Sequence, residues 1–462
     1  MEQGLKKTLK LPQLIALAAG GMIAAWMVEI QYWFSLTGTG SLLALILCAV
    51  FVLPLCFIYA EMTTMLPYAG GENVWVSNAF GWNTGWVCCW FVLLLYVMAM
   101  PTVSYGIASM IGYLHPITSG QTKLVAAIIL VVWFFLTNKE LKFIAKLQSI
   151  LFWATLIVSL RSTFVSPNVS LAASVIFICS GSWSFSNFRG NLFPSGGKGF
   201  SAAIALLIMK FIGFDLIPQL SEEANFPKKK MWKAFVGSLG FTVLIYAMAV
   251  VGVGGIISQD WVLQTDIVDP RVADMIDMHW LGIVIVIMGT GTCLTTLSGF
   301  WMCASRTLFG AAKQAQFTKK LAKVNKHGQP FLANIIVGIL SIYFTVFAPD
   351  AWVNYIYTIY GLTAGVVYLL VALSFLKLRR SHPEWERPYK LRIPWFFGIA
   401  SIIFCVYVIY VTITTMDRNA WIVLIVYIVL GIPFWAYAKA MQKKDPENWK
   451  EVITNPDTEK LK

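Results

Sequence analysis

Three ionisable residues interrupt stretches of sequence that are otherwise apolar enough to lie inside a membrane. Lys210 and Asp215 stand five residues apart in MKFIGFDLIPQ, with Gly213 between them and Pro218 shortly after. Glu29 stands in the apolar run LIALAAGGMIAAWMVEIQYWF. A charge at bilayer depth costs about 2.5–3.5 kcal/mol even on lenient insertion scales, so each should face protein or a cavity. Such residues either form structural pairs between helices or handle a ligand or an ion.

The composition of the whole chain indicates a polytopic membrane protein. Of the 462 residues, 58% are hydrophobic and only 12% are charged, and the mean hydropathy is +0.71. Soluble domains, in contrast, are about a quarter charged. Apolar runs of about 20 residues, the length that crosses a bilayer, recur along the chain. The N-terminal segment has no small-residue cleavage site, so we expect no cleavable signal peptide.

The apolar runs predict an all-α membrane protein of one domain, residues 1–462, with twelve transmembrane helices. The predicted spans are about 12–36, 41–62, 85–113, 123–138, 142–164, 199–221, 232–258, 279–305, 331–348, 353–377, 395–415 and 420–441. Between spans five and six, a shorter apolar piece rich in Ser and Gly is expected to form a helix on the outer face.

The distribution of Lys and Arg predicts the orientation of the chain. If the loops alternate between the two sides, 28 of the 35 Lys and Arg residues fall on the side of both termini. Because positively charged segments stay in the cytoplasm, we expect a multi-pass protein of the plasma membrane with cytoplasmic N- and C-termini. The net charge of +13 is then an orientation signal. The expected partner is the lipid bilayer, and nucleic acid is not expected as a partner.

Spans one and six are interrupted near their centres, by AAGGMIAA and by FIGFD. Two interrupted helices at matching positions indicate a transporter site, although ordinary small-residue packing explains AAGGMIAA about as well. A half-helix N-terminus offers N–H groups to a carboxylate, and an unwound segment offers carbonyls to an ammonium group. Glu29 and Lys210 then lie in the outer halves of neighbouring helices, whereas Asp215 begins the inner half. We predict that Glu29 and Lys210 pair or share a proton above the substrate site.

Other polar and aromatic residues are weaker candidates. Tyr96 and Trp301 could form walls of a pocket, but a plain packing role is the alternative for both. Thr295 and Ser298 belong to a hydroxyl-rich part of span eight that either ligates a small cation or bonds back to its own helix. The tyrosines of VNYIYTIYG could supply gating rings or an interfacial belt. Neither the eight Cys nor the four His show metal-ligand spacing, so we expect no metal, no other cofactor and no enzymatic activity.

Three segments resemble the amino acid–polyamine–organocation (APC) superfamily of transporters. They are AEMTTMLPYAGGENVWVSNAFG, FIGFD followed by EEANFPKKKMWKA, and SRTLFGAAKQAQF leading to KVNKHGQPF. The first is also similar to bacterial glutamate/γ-aminobutyrate exchangers. The resemblance covers nearly the whole chain and implies a five-plus-five inverted repeat with broken helices 1 and 6. Its repeats would be about 12–164 and 199–377, followed by helices 11–12 at about 395–441 and a cytoplasmic tail at 442–462.

The resemblance also implies a central site in which the breaks of spans one and six hold an amino acid. Its carboxylate would bind N–H groups of span one, and its amine would bind carbonyls of Phe211, Ile212 and Phe214. The segment Ala24-Ala25-Trp26 stands where the family has Gly-Ser/Ala-Gly, so Trp26 would crowd a substrate carboxylate. A substrate without an α-carboxylate is therefore also compatible with this site. The candidate substrate-binding residues are Gly20, Gly21, Met22, Ile23, Ala24, Ala25, Trp26, Tyr96, Phe211, Ile212, Gly213, Phe214 and Trp301.

The resemblance leaves the coupling ion open. Many proton-coupled relatives carry a lysine in span five, where this chain has Thr155. Sodium coupling, pure exchange and protons carried by Glu29 are all compatible with that difference, so the expected ion is H⁺ or Na⁺. The candidate gating and coupling residues are Glu29, Lys210, Asp215, Thr155, Thr295 and Ser298.

The function expected from the sequence is secondary active transport, as symport or exchange, of a small amino acid or related amine by alternating access. The first alternative is a transporter-like membrane receptor or assembly partner without transport. The second is a membrane-embedded enzyme, for which the sequence offers no convincing catalytic constellation.

Overall fold

The computed structural model describes residues 10–68, 70–138, 169–221, 224–350, 352–447 and 449–456. Within these ranges the chain is helical and forms no extended strand; Gly38 and Leu192 form an isolated β-bridge. The first ten helices are α1 (Leu11–Met22), α2 (Trp26–Thr37), α3 (Ser41–Met65), α4 (Glu72–Phe80), α5 (Trp82–Val97), α6 (Ala99–Leu114), α7 (Ser119–Thr137), α8 (Val169–Cys179), α9 (Phe185–Gly190) and α10 (Gly196–Leu206). After a 3₁₀ segment at Leu207–Phe211 come α11 (Leu216–Gln219), α12 (Met231–Gly254), α13 (Gln259–Leu263), α14 (Val268–Met275), α15 (His279–Lys313), α16 (Phe331–Val346), α17 (Trp352–Ser381), α18 (Pro394–Thr415) and α19 (Arg418–Lys444).

The all-helical prediction is confirmed for the described residues. They contain nine helical stretches that are long and apolar enough to cross a membrane, or ten when α1 and α2, bent by 60°, count as one span. The apolar helix α16 has 16 residues and is shorter than the rest. Expected span five, 142–164, and its residue Thr155 lie outside the described residues, so the total of twelve spans stays a prediction.

We call the end of the bundle that contains Thr37 and Leu114 the outer end, and the opposite end, which contains Met65 and Lys313, the inner end. At the outer end, the segment with α13 and α14 lies over α2. Gln31 Nε2 donates to the Leu263 carbonyl at 2.6 Å, and Gln259 Nε2 donates to the Phe34 carbonyl at 2.7 Å. These hydrogen bonds attach the outer loop to the second half of span one.

The short helix α8 lies in the segment between spans five and six, where the sequence predicts a helix on the outer face. It packs along α12, where the Cα–Cβ edge of Ser174 approaches Gly252 so closely that a side chain at Gly252 would have no room. Just after α8, Trp183 Nε1 donates to the Val251 carbonyl at 2.8 Å. Helix α8 is therefore fixed against the outer part of α12.

A buried ion cluster joins three segments at the inner end. Arg379 Nη2 lies 2.5 Å from Glu61 Oε2, and Arg387 Nε lies 3.3 Å from Glu61 Oε1. The Leu391 backbone N–H donates to the same carboxylate at 2.8 Å. Because a buried carboxylate needs both opposite charge and hydrogen-bond donors, Glu61 fixes the end of α3 to α17 and the loop that follows it.

Candidate functional site

The break in span one lies between α1 and α2. Helix α1 ends at Met22, helix α2 begins at Trp26, and the Ala24 N–H donates to the Met22 carbonyl at 3.1 Å. Ala25 has a φ of 53°, in the left-handed region that residues with a side chain rarely adopt. Strained backbone of this kind persists where the surrounding structure requires it and is frequent at ligand sites. The observed break, residues 23–25, falls within AAGGMIAA.

The break in span six lies directly against the break in span one. Helix α10 passes into a 3₁₀ segment, and the chain then opens at Gly213, whose φ of 138° favours glycine. The Gly213 N–H donates to Asp215 Oδ1 at 2.8 Å, just before α11 begins. A Cβ on Gly213 would lie 2.9 Å from the backbone nitrogen of Met22. The two interrupted segments therefore touch through their backbones.

The charged residues of the two broken spans form a buried ion pair. Lys210 Nζ lies 2.5 Å from Glu29 Oε2 and also donates to the Ala24 carbonyl at 3.0 Å. The Tyr357 hydroxyl donates to the same oxygen of Glu29 at 2.7 Å, and Trp33 Nε1 donates to the Tyr357 oxygen at 2.6 Å. Both charged side chains are at most 2% exposed. The predicted pairing is thus observed; its role in transport stays a prediction.

Aromatic rings enclose the Lys210 ammonium. Its Nζ lies 5.8 Å from the centroid of the Trp33 ring and 5.2 Å from that of Tyr246. The Tyr246 hydroxyl donates to the Met22 carbonyl at 2.5 Å, so the ring is also fixed to the break in span one. Cation–π contact in a desolvated site is worth about 2 kcal/mol. Tyr246 and Trp33 were not predicted, since nothing in an aromatic-rich sequence indicates which rings converge on one ammonium.

A small cavity lies between the two breaks. Its lining residues are Gly21, Met22, Ala24, Ala99, Thr102, Val103, Met209, Lys210, Ile212, Thr296, Phe300 and Tyr360. The volume that the centre of a water molecule can occupy in this cavity is about 20 Å³. This is roughly enough for one water. An amino acid therefore requires the walls to move apart.

Only some of the predicted substrate-binding residues line this cavity. Gly21, Met22, Ala24 and Ile212 do, together with the coupling candidate Lys210. The lining residues of α6 and Phe300 of α15 were not predicted, because no break or charge marks these positions. Tyr360 of α17 belongs to VNYIYTIYG, whose tyrosines are candidates for gating rings.

Several other candidates make contacts away from the cavity. Trp301 Nε1 donates to Asn334 Oδ1 on α16 at 3.2 Å, and Tyr96 donates to the Asp215 carbonyl at 3.0 Å. The Thr295 hydroxyl bonds back to its own helix at the Thr292 carbonyl at 2.7 Å.

One residue of the hydroxyl-rich part of span eight, Thr296, reaches the break in span one. Thr296 lines the cavity and donates to the Gly20 carbonyl at 2.7 Å. Ser298, two residues on, is buried but is not part of the lining.

Trp26 is directed towards the outer loop. Its Nε1 lies 3.4 Å from Oδ1 of Asp269, which belongs to α14 and is 3% exposed. Burial raises the pKa of the Asp269 carboxyl to about 7, against an opposing effect of the hydrogen bond from Trp26. The expected crowding of a carboxylate by Trp26 is not seen among the cavity-lining residues, where Trp26 is absent. The side chain connects the outer half of span one to the outer loop.

Comparison with known proteins gives one family and a consistent set of relatives. The profile of the family described as Amino acid permease matches residues 9–434. The chain is 24% identical to the gamma-aminobutyric acid permease of Bacillus subtilis (strain 168), with 99% of this chain and 98% of the relative aligned. It is also 24% identical to the branched-chain amino acid permease BcaP of Lactococcus lactis subsp. cremoris, with 93% and 94% aligned. A probable GABA permease of Pseudomonas aeruginosa is 22% identical, with 84% and 83% aligned.

Proposed function

The chain belongs to the amino acid permease family of the APC superfamily, and we propose that it is a secondary active transporter of a small amino acid or related amine. It works by alternating access across the plasma membrane, with both termini in the cytoplasm. The first repeat comprises spans one to five and the second spans six to ten. The family match supports amino acid transport, and the distribution of Lys and Arg supports the orientation.

The observation that carries the proposal is the contact between the two helix breaks at a buried cavity. Gly21 and Gly213 approach so closely that a Cβ on Gly21 would lie 3.7 Å from the Gly213 Cα. Interrupted helices leave backbone groups without helical partners, and such groups can replace the hydration of a charged substrate. A cavity that small, with buried lining residues, fits the closed state between two open ones.

The substrate binds with its two charged ends on the two breaks. The carboxylate lies at the first-turn N–H groups of α2, where the helix dipole favours negative charge. The amine lies at carbonyls of the segment Phe211 to Phe214. Because the wall charge of Lys210 is already neutralised by Glu29, the remaining walls suit an uncharged body.

The names of the relatives narrow the substrates to test. A γ-amino acid and branched-chain α-amino acids differ in the spacing of their charged groups and in their apolar bulk. The walls contributed by Ala99, Val103, Met209 and Phe300 are apolar, so they accept either an aliphatic side chain or a methylene chain. We therefore place γ-aminobutyrate, leucine, isoleucine and valine first.

The experiment is counterflow in liposomes. Purified protein is reconstituted into vesicles loaded with one unlabelled amino acid, and the entry of the same labelled amino acid is followed. A transporter accumulates label transiently without an ion gradient, whereas a receptor or assembly partner without transport does not. No counterflow with any of the four amino acids, or with a wider panel of amines, contradicts the proposal.

A thermal shift screen selects the ligand before reconstitution. A ligand that binds the folded state raises its stability by RT ln(1 + [L]/Kd), which is about 2.7 kcal/mol at one hundred times Kd. A compound that both stabilises the protein and undergoes counterflow is a substrate. One that stabilises without exchange favours the receptor alternative.

A further inference from the structure

A second buried acidic cluster lies on the inner side of the break in span six. Glu72 is the first residue of α4, Asp215 stands just before α11, and neither side chain is exposed. Gln219 at the end of α11 joins the two elements, with its Nε2 3.5 Å from Glu72 Oε2. The Gly70 N–H donates to Gln219 Oε1 at 3.3 Å. Helix α11 therefore rests on the start of α4.

Groups from other helices enclose Asp215. Its Oδ1 accepts the Gly213 N–H at 2.8 Å, and its Oδ2 accepts the Tyr368 hydroxyl of α17 at 3.2 Å. The ring of Tyr59, from α3, meets that of Tyr368 edge to face, with centroids 5.7 Å apart. The cluster thus collects side chains from helices on several sides of the inner end.

The groups that face Glu72 carry no positive charge. They are Tyr59 from α3, Cys88 and Tyr96 from α5, Asp215 next to α11, and Tyr368 from α17. In the part of the chain that the structure describes, no Lys, Arg or His forms an ion pair with Glu72 or Asp215. Glu29 and Glu61, the other buried glutamates near the breaks and the inner end, each have a cationic partner.

Two ionised carboxylates in a buried site without a cation repel each other and lose their hydration. A proton on Glu72 removes one of the two charges and leaves the Asp215 carboxylate able to accept its hydrogen bonds. Oε1 of Glu72 is buried and accepts no hydrogen bond, so an ionised Glu72 would be poorly compensated. Burial, and then the nearby Asp215 carboxylate, raise the pKa of Glu72 well above its ordinary value. A bound proton can therefore neutralise one carboxylate of this cluster, as the Lys210 ammonium neutralises Glu29.

We propose that Glu72, next to Asp215 in this cluster, is a proton-binding residue that holds one proton while the inner end is closed. Loss of that proton leaves two like charges across the contact of α4 with α11, and the repulsion opens the inner end. The proton thereby controls substrate release into the cytoplasm. The consequence for release rests on the proposed function; the proton site itself does not.

The first test measures exchange as a function of internal pH. Counterflow of labelled γ-aminobutyrate and of labelled leucine is followed separately in liposomes, with the internal pH set between about 5.5 and 8. Wild-type exchange should accelerate at least about five-fold as internal pH rises, the low end of typical coupling between two sites. Glu72→Gln mimics the protonated form at every pH, so its exchange should be slow and independent of internal pH. Glu447→Gln, a change of the same type at an exposed position, is the matched control and should behave like wild type.

The second test measures proton binding without transport. A raised pKa means that the folded protein binds more protons than the unfolded chain, so stability falls as pH rises above the ordinary range of a glutamate. Glu72→Gln and Asp215→Asn should each flatten this fall in thermal midpoint. All variants are compared in an Asp269→Asn background, since Asp269 also titrates.

The two tests separate failure of the proton site from failure of the proposed function. If Glu72→Gln and Asp215→Asn both keep the wild-type dependence on pH, the proton site is wrong. If wild-type protein shows no counterflow at any pH, the transport proposal fails while the thermal titration still decides the site. If Glu72→Gln does not fold, the thermal titration of Asp215→Asn alone decides the proton site. A flatter fall in thermal midpoint supports the site, and an unchanged fall contradicts it.

Discussion

Lys210 and Glu29 neutralise each other where neither could remain charged alone. The ammonium also contacts the Ala24 carbonyl, and the carboxylate also accepts the Tyr357 hydroxyl, so both partners are held in one geometry. Removing one member of a buried pair is much more harmful than removing both, because the remaining charge has no compensation. At the scale of single residues, the pair therefore links spans one and six, and its role in transport stays a prediction.

The first prediction concerns this pair. Lys210→Met should destabilise the protein by about 3–5 kcal/mol, because it leaves the buried Glu29 carboxyl without its cationic partner. Glu29→Gln combined with Lys210→Met should recover much of that loss, since no charge remains. A double-mutant cycle of thermal midpoints measures the coupling.

The same variants test the functional role of the pair. The double variant should fold but exchange substrate more slowly than wild type in liposome counterflow. A double variant that exchanges at the wild-type rate would reduce the pair to a structural link. A cycle without coupling between the two substitutions would show that the contact contributes little even to structure.

Whether a residue of the site could be predicted from the sequence depends on how far along the chain its contact partners lie. Charge inside an apolar run is visible in sequence, and alternation of the loops places Glu29 and Lys210 at one depth. The partners Tyr246 and Tyr357 belong to helices far along the chain. Glu72 was not predicted because it follows span two in a polar, glycine-containing segment, and only the fold brings it to the break in span six.

At the scale of elements, α14 connects the outer loop to the second half of span one. Its Asp269 accepts the Trp26 indole N–H, while Oδ2 of the same carboxyl is buried without a hydrogen-bond partner. An ionised Asp269 would therefore be poorly compensated, whereas the protonated form is neutral. The attachment of α14 to α2 should weaken as Asp269 loses its proton.

The second prediction follows from the pKa of about 7 for Asp269. The folded protein holds this proton between the ordinary aspartate range and about pH 7, whereas the unfolded chain does not. Stability should therefore fall as pH rises through that window, by at most about 4 kcal/mol. Asp269→Asn should remove this component of the fall in thermal midpoint, and Asp260→Asn on the exposed part of the same loop should not. Parallel curves for wild type and Asp269→Asn would contradict the assignment.

Element positions were predictable where hydropathy or interruption marks them. The breaks at AAGGMIAA and FIGFD were both predicted, since small residues and an acidic residue disturb an apolar run. The bend of 60° and the backbone contact of Gly213 with Met22 were not predictable, because they depend on how two distant segments pack. The same holds for α14, whose polar sequence predicts a solvated loop and gives no sign of its contact with Trp26.

At the scale of the whole molecule, the feature to test is the orientation of the chain in the membrane, that is, which end of the bundle faces the cell exterior. Both the fold class and the family of the chain were predictable from its apolar runs and motifs. The orientation rests on Lys and Arg alone, which is a statistical effect of membrane insertion.

The third prediction uses a natural cysteine to test this orientation. Among the eight cysteines, Cys179 at the end of α8 is the exposed one, and the other seven are buried. With cytoplasmic termini, Cys179 lies outside, so a membrane-impermeant maleimide should label it in intact cells. Cys179→Ser is the control and should lose the label. Labelling that appears only after the cells are broken open would contradict the orientation.

The most direct test of the central claim compares counterflow by two glycine variants. Gly213→Ala forces a side chain into a backbone with a φ of 138° and within 2.9 Å of the Met22 nitrogen, whereas a Cβ on Gly20 meets nothing within 4 Å. If the paired breaks form the transport site, Gly20→Ala should exchange substrate at nearly the wild-type rate. Gly213→Ala, recovered as folded protein, should then fall to about a tenth of that rate or less, because small displacements at a site cost large factors. Wild-type exchange by folded Gly213→Ala would contradict the claim that the contact between the two breaks is where the substrate is carried.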